Sequence, residues 1–361
     1  MNLTSILLLL QMIVSLLPNT TTANNPQVQL LAQQAISVAQ EALSQSLHSS
    51  STIAAATSMT SQNNPDPPEI AINPQTLVGI LCYYNVIYID QDTGESETIA
   101  GQLEVRGSGV IINSEGNILT NRHIIEQPES YTTITDNNGG AIPIAETYNL
   151  DHCDVGQLAA GASLPTIPQI QSINPYVNIP VLGYTAQPTF ISPTAGLSAE
   201  EIQYADFAIL KITGISQSGP TFGIDSVPTS FPYAKLLPIK QYPTIDGLVV
   251  TYGFPGDVTS GQGNSFQTLT MTGSVGNVTG IDSGDSFYAD TPLVIFTNME
   301  IAHGRSGSPL FWRGYVIGLV TFFTSNNVTE SGSVASDAIL KGLEGTNYIG
   351  TNKTGLETIG F

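Results

Sequence analysis

From residue 77 onward the sequence is a succession of short runs rich in Val, Ile, Tyr and Thr, separated by Gly, Pro, Asn and Asp. Runs of this composition are typical of β-strands joined by turns. The clearest of them are residues 77–89, 107–121, 206–212, 248–254 and 315–323. No regular alternation of strands with helices interrupts the pattern, so it favours an all-β architecture over a parallel sheet.

The length of the chain sets the number of units that this pattern can form. At about 150 residues per domain, 361 residues correspond to roughly two units, each large enough to bury a core. The 34 glycines and 22 prolines fit a β-rich protein with many turns. Two β-barrels that share one site would satisfy this length.

The charge balance excludes one class of partner. The chain has 9 Lys and Arg against 29 Asp and Glu, and its first cationic side chain is Arg106. Because phosphate binding depends on clustered Lys and Arg, we expect no nucleic-acid partner. The acidic balance favours an extracellular setting instead.

The N-terminus carries an export signal. Residues 3–17 are apolar, and Pro18 and a polar stretch with small residues at Thr21 and Ala23 follow them. We interpret residues 1–23 as a secretory signal peptide. Because no Lys or Arg precedes the apolar run, an uncleaved membrane anchor is the alternative. Either interpretation places the rest of the chain outside the cell, secreted or membrane-anchored.

Two helices are predicted at the ends of the β-rich region. Residues 27–47 have apolar side chains at helical intervals, which predicts an amphipathic helix within a helical segment and linker over residues 24–70. This helix could drive homo-oligomer formation or simply pack on the rest of the chain. Near the other end, Val334–Leu343 predicts a short helix within a C-terminal segment over residues 331–361.

The sequence contains two cysteines, Cys82 and Cys153. In an exported protein they could form one disulfide. Two unpaired thiols are an equally open alternative at this point.

Two short segments could carry chemistry. His123, one of four histidines, comes directly after a predicted strand, and residues 304–310 (GRSGSPL) place Ser306 between glycines before an apolar strand. A serine needs an imidazole base and a carboxylate behind it to attack an amide. Residues 151–154 (DHCD) form a local cluster of side chains that can bind metals. Without a second cluster elsewhere in the sequence, this cluster does not predict a metal site.

Three blocks of sequence resemble the trypsin-like serine proteases, and most closely the protease domain of the HtrA/Deg group. The first is GSGVIINSEGNILTNRHII at 107–125, the second is YADFAILKI at 204–212, and the third is TNMEIAHGRSGSPLFWRGYVIGLVTF at 297–322. They occur in the order in which that family places its histidine, aspartate and serine.

This resemblance implies a fold, a reaction and a set of site residues. It implies two six-stranded antiparallel β-barrels, over residues 71–220 and 221–330, and a serine endopeptidase that acts on protein or peptide substrates without a cofactor or metal. His123 would be the general base, Asp206 the group that orients it, and Ser306 the nucleophile. The backbone N–H groups of Gly304 and Ser306 would form the oxyanion hole.

The sequence also departs from the family pattern. The stretch between His123 and Asp206 is longer than the family leads us to expect, and we predict that residues 137–200 contain an inserted Pro-rich loop. In digestive members an aspartate before the serine pairs with a newly cut N-terminus, but here that position is Arg305. HtrA-like proteases usually carry a PDZ domain after the catalytic unit, and from the short stretch after Ser306 in this sequence we expect none here.

Specificity and rival functions remain open at this level. Glu300 occupies the position at which the family often places the base of the primary specificity pocket, where a carboxylate would favour Lys or Arg, and His303 would lie at the cleft lip. One alternative function is a catalytically silent barrel that binds peptides or assembles with partners. Another is a membrane-anchored quality-control protease that trimerises through residues 27–47.

Overall fold

The computed structural model describes residues 67–135, 141–173, 177–179, 182–197, 199–239, 247–255, 269–283, 291–301, 304–323, 331–344 and 346. The predicted signal or anchor at 1–23 and the predicted helix at 27–47 lie outside the described residues. Within those ranges, no helix is both long and apolar enough to cross a membrane.

The first half of the described chain forms a closed antiparallel barrel. Six strands form its ring in the order β1-β2-β3-β8-β7-β5, with β1 pairing back to β5, and β4 adds to β5 outside the ring. The strands are β1 Leu77–Asp90, β2 Ser96–Ile111, β3 Asn117–Thr120, β4 Ser130–Thr135, β5 Ala141–Gln157, β7 Leu182–Ile191 and β8 Ala208–Ile215.

The second half forms another closed barrel, with the ring order β11-β14-β13-β12-β9-β10 and a closing pair between β10 and β11. A short strand from the first half of the chain, β6, adds to β10 outside this ring. The strands are β6 Val177–Ile179, β9 Leu248–Gly253, β10 Leu269–Ser283, β11 Pro292–Thr297, β12 Pro309–Trp312, β13 Tyr315–Phe323 and β14 Ser331–Ala335.

These two barrels confirm the predicted all-β fold with two six-stranded antiparallel barrels. The described helices are few and short: α1 Arg122–Ile125, α2 Ile167–Ser172, α3 Ala199–Tyr204 and α4 Ser336–Gly342. Helix α4 is the predicted C-terminal helix, and it begins two residues later than the start predicted at Val334, because Val334 belongs to β14. Strand β14 lies after residue 330, in the stretch that the sequence assigns to the C-terminal segment.

The insertion predicted within residues 137–200 occupies only part of that range. A large part of that range is barrel strand, because β5 and β7 lie within it and pair with each other. Pro188 in β7 accompanies a bulge between Pro188 and Phe190, which the strand pattern of the sequence did not reveal. The true insertion is the shorter stretch between β5 and β7, which contains α2 and β6.

Strand β1 shows why the two barrels pack together. Its alternating side chains point to opposite faces, so Ile80 joins the core of the first barrel while Leu81 joins a second cluster. That second cluster contains buried residues of both barrels, including Phe207 from the first and Phe311 from the second. The interface between the barrels is therefore a hydrophobic core, which holds fixed the polar residues at its edge.

Cys82 and Cys153 form a disulfide across directly paired positions of β1 and β5, with 4.0 Å between their Cα atoms. Both side chains are buried in the core of the first barrel. The disulfide therefore links β1 and β5, the two strands whose pairing closes the barrel.

Candidate active site

Helix α1 presents His123 at the surface of the first barrel. Ile124 packs so closely over β2 that a Cβ on Gly107 would lie 2.2 Å from its Cδ1, so a side chain at residue 107 would displace Ile124. The Tyr84 hydroxyl donates a hydrogen bond to the Ile124 carbonyl from inside the barrel. Together these contacts fix the short helix while the His123 side chain remains 45% exposed.

Asp206 lies just before β8 and meets His123 with both carboxylate oxygens. Oδ2 is 2.7 Å from His123 Nδ1, and Oδ1 accepts a hydrogen bond of 2.9 Å from the His123 backbone N–H. The aspartate side chain is only 10% exposed. The predicted base and its predicted orienting group are therefore in direct contact, and the second bond fixes the carboxylate relative to the backbone of α1.

Asn121 connects this pair to the second barrel. Its Nδ2 donates to the Asp206 carbonyl oxygen at 2.7 Å and to Thr321 Oγ1 of β13 at 2.8 Å. Asn121 is fully buried at the edge of the shared core. Its amide therefore holds the backbone of Asp206 beside the second barrel.

Ser306 lies in a tight turn between β11 and β12. Gly304 and Gly307 have φ angles of 86° and 81°, in the left-handed region that favours glycine. At Gly307 a Cβ would also lie 2.1 Å from the Ser108 carbonyl oxygen. The turn can therefore form only with glycine at residue 307, and it leaves the Ser306 side chain half-buried at the barrel interface.

Ser108 joins the Ser306 turn to the first barrel. Its N–H donates to the Ser306 carbonyl oxygen at 2.8 Å, and its hydroxyl donates to the Gly304 carbonyl oxygen at 3.2 Å. Its own carbonyl accepts a bond of 2.7 Å from Thr120, which stands three residues before His123. One buried residue thus links the serine turn to the strand that leads into the histidine helix.

The structure brings His123 and Asp206 into hydrogen-bond contact and places Ser306 on the turn bonded to Ser108. The Ser306 hydroxyl makes no hydrogen bond to any described residue, so Ser306 and His123 are not hydrogen-bonded to each other in this structure. The backbone N–H groups of Gly304 and Ser306 also have no acceptor among the described residues. Two N–H groups in such a turn can bind an oxyanion.

The remaining predicted site residues are less informative. The Glu300 side chain is exposed, and its carbonyl oxygen accepts a bond of 2.6 Å from the Ser274 hydroxyl. His303 lies outside the described residues, so a pocket formed by Glu300 and His303 stays a prediction. His152 is flanked by Asp151 at 2.7 Å and Asp154 at 3.8 Å. Three or more His, Cys, Asp or Glu side chains placed to hold a metal do not occur within the described ranges.

Comparison with known families agrees with this geometry. A family model described as the trypsin-like peptidase domain matches residues 107–319, which is well over half of the chain. The chain belongs to the trypsin-like peptidase family. The matched range of this trypsin-like peptidase includes His123, Asp206 and Ser306. None of the curated proteins compared with the chain matches its sequence.

Solved structures similar to this trypsin-like peptidase are also proteases. The Rv3671c protease from M. tuberculosis in its active form is 14% identical, with a TM-score of 0.38 over 82% of this chain and 98% of that chain. The HtrA-type protease AlgW with a decapeptide is 17% identical, with a TM-score of 0.38 over 74% of this chain and 63% of that chain. Deg5 is 16% identical, with a TM-score of 0.38 over 74% of this chain and 87% of that chain. The chain thus spans less than two thirds of AlgW.

Several residues of the site were not singled out from the sequence. Ser108 and Asn121 lie inside the GSG and TNRH segments that carried the resemblance, but nothing in those segments indicates what their side chains bond. Thr321 lies in an apolar strand with no local signal. Their roles arise from contacts between the barrels, which a local pattern does not encode.

Proposed function

We propose that this trypsin-like peptidase is a secreted serine endopeptidase with His123, Asp206 and Ser306 as its catalytic triad. The observation that carries the proposal is the double contact of Asp206 with His123, through Nδ1 at 2.7 Å and the backbone N–H at 2.9 Å. A carboxylate in this position keeps the proton on Nδ1 and leaves Nε2 as the base.

In the proposed mechanism Ser306 Oγ attacks the carbonyl carbon of a peptide bond while His123 Nε2 takes its proton. The tetrahedral oxyanion is bound by the N–H groups of Gly304 and Ser306. Collapse breaks the C–N bond, and the leaving amine receives the proton from His123. A water molecule, deprotonated by His123, then attacks the ester. Collapse of the second tetrahedral intermediate breaks the C–O bond, and His123 returns the proton to Ser306 Oγ, which releases the acid product and free Ser306.

The open contact between Ser306 and His123 is compatible with this role. Hydrogen bonds among catalytic groups are often long or poorly aligned without substrate and tighten when it binds. The elements that carry the two residues are already tied together through Ser108. We therefore propose that the hydrogen bond between Ser306 and His123 forms when substrate binds.

Export is proposed from the sequence and supported by the cross-link. Residues 1–23 have the apolar run of a signal peptide or anchor. The disulfide between Cys82 and Cys153 is of the kind that persists in oxidising compartments. We propose a secreted enzyme, with membrane anchorage as the alternative if residues 1–23 remain attached.

The test is hydrolysis of an unfolded protein substrate by wild type, Ser306→Ala and Ser308→Ala. Ser308 stands two residues away in the same turn, and its buried hydroxyl has no hydrogen-bond partner in the described part of the chain, so it is a matched control. We expect Ser306→Ala to abolish cleavage and Ser308→Ala to retain it. A folded wild type that cleaves neither proteins nor peptides would favour the catalytically silent binding module.

A further inference from the structure

The residue directly before Ser306 is a buried arginine. Arg305 is only 4% exposed, although it lies in a turn beside the proposed active site. Burying a guanidinium costs free energy unless its N–H donors are hydrogen-bonded, so the partners of Arg305 indicate the role of this buried side chain.

Those partners lie on three successive residues of β10. Arg305 Nη1 donates to Ser274 Oγ at 2.6 Å, and Nη2 donates to the Gly273 carbonyl oxygen at 3.0 Å and also to Thr272 Oγ1. A guanidinium presents its donors in a rigid planar fork, so these bonds fix its orientation as well as its position. The side chain before Ser306 is therefore bound to one strand at several points.

The same strand also holds the other end of the segment that leads to Ser306. The Ser274 hydroxyl that accepts from Arg305 donates its own proton to the Glu300 carbonyl oxygen at 2.6 Å. Ser274 thus bridges residues 300 and 305. The short segment between them ends in the turn that presents the Gly304 and Ser306 N–H groups.

The segment of β10 that binds Arg305 is itself held by neighbouring elements. It pairs with β9 from Thr272 to Asn277, and the preceding residues of β10 pair with β6. Helix α2 packs so closely that a Cβ on Gly273 would lie 2.5 Å from Ile170 Cδ1. The insertion of the first barrel therefore covers the strand to which Arg305 is anchored.

We propose that Arg305 is a positioning residue whose anchorage to Thr272, Gly273 and Ser274 holds the Ser306 turn, and with it the oxyanion-hole N–H groups, in the geometry required for acyl transfer. This inference rests on the proposed function. The anchor touches no reacting atom. It acts on the rate because oxyanion donors are effective only when they are already aimed at the developing charge.

The experiment measures kcat and KM for a peptide substrate in Ser274→Ala, Arg305→Met and the double variant. Ser274→Ala removes the hydroxyl that bridges Arg305 and Glu300 and leaves the guanidinium in place. We expect kcat to fall about tenfold in Ser274→Ala and about a hundredfold in Arg305→Met, with KM changed less than about twofold. Since both changes break one anchor, the double variant should be no slower than Arg305→Met alone.

Lys341→Met is the matched control, because it removes an exposed cation whose ion pair with Glu344 in the turn after α4 spans 2.6 Å. Its kcat should equal that of wild type. Each rate is divided by the folded fraction measured by circular dichroism, and if Arg305→Met does not fold, Ser274→Ala decides alone. An active wild type with unchanged kcat in Ser274→Ala, or with effects that multiply in the double variant, would overturn the positioning role. A folded wild type without activity would overturn the proposed function, and this inference with it.

Discussion

Asp206 binds His123 twice, with one carboxylate oxygen 2.7 Å from the ring Nδ1 and the other accepting the backbone N–H at 2.9 Å. The imidazole therefore has one favoured tautomer and one favoured orientation. Because Asn121 donates both to the Asp206 carbonyl oxygen and to Thr321 of the second barrel, both barrels contribute to the position of the pair.

Asp206→Asn should lower kcat for peptide hydrolysis by about 10,000-fold, the size of effect expected when the orienting carboxylate of such a triad becomes an amide. An asparagine offers one acceptor oxygen and one donor NH2, whereas His123 presents two N–H donors to this residue. The amide nitrogen would face one of them and disfavour the productive tautomer. The measurement is steady-state hydrolysis of a peptide substrate.

Asp225→Asn is the control for that substitution, since it makes the same chemical change at an exposed carboxylate. It should leave kcat unchanged. Retention of more than about a tenth of the activity in folded Asp206→Asn would show that Asp206 does not orient the base.

Gly307→Ala should abolish activity and destabilise the protein. The residue has a φ of 81°, and its new Cβ would lie 2.1 Å from the Ser108 carbonyl oxygen, so the turn would have to move. Gly161→Ala separates the effect of the positive φ from the effect of the steric clash. Gly161 has a φ of 83°, but a Cβ added there would meet no atom within 4 Å. It should lower the unfolding free energy by only about 1 kcal/mol and retain activity. Equal effects of the two variants would contradict this account.

Asp154 gives the fold a pH dependence of its own. Burial raises its pKa from 3.8 to about 6, and the nearby charge of His152 opposes that rise. The folded state therefore binds this proton more tightly than the unfolded state. The stability that the group contributes is fully present below about pH 4 and is lost as the pH rises through 6.

Asp154→Asn should remove this dependence and stabilise the protein at pH 7 by roughly 1 to 3 kcal/mol. The measurement is the unfolding free energy in urea from pH 4 to 8, taken as the difference between variant and wild type. Asp92→Asn, at an exposed loop position, should show no such difference. A variant that is less stable than wild type at pH 7 would show that the carboxylate of Asp154 is stabilising.

Replacing both cysteines with alanine should lower the unfolding free energy. The disulfide links residues 71 positions apart, and closing a loop of that length is worth about 4 kcal/mol in the chain-entropy model. We expect a loss of about 2 to 4 kcal/mol in denaturant titrations under oxidising conditions. A reductant should destabilise wild type and leave the double variant unchanged. If wild type and variant unfold at the same denaturant concentration, the cross-link does not form in solution.

The fold and the segments that carry His123, Asp206 and Ser306 could be predicted because their signals are local. The Val-, Ile- and Tyr-rich run of β1 and the glycines around Ser306 indicate a strand and a turn without reference to distant parts of the chain. Strands β5 and β7 were missed because polar residues and Pro188 interrupt their patterns, and their register is set by neighbouring strands.

The supporting contacts of the site could not be predicted for the same reason. Ser108 and Ser306 are far apart in sequence, and the bond between them exists only because the two barrels pack on a shared core. Arg305 shows the limit most clearly. The sequence indicates that Arg305 cannot form the ion pair with a newly cut N-terminus that an aspartate forms at this position in digestive members. Only the structure identifies β10 as its partner.

If Ser306 is an activated nucleophile, a fluorophosphonate probe should modify it selectively, and the site of that modification tests the activation most directly. Peptide mass spectrometry of the labelled protein would locate the adduct, with Ser306→Ala and His123→Ala compared under the same conditions. We expect one adduct, on Ser306, that is absent from both variants. No adduct on folded wild type, or an adduct on Ser306 that persists in His123→Ala, would contradict it.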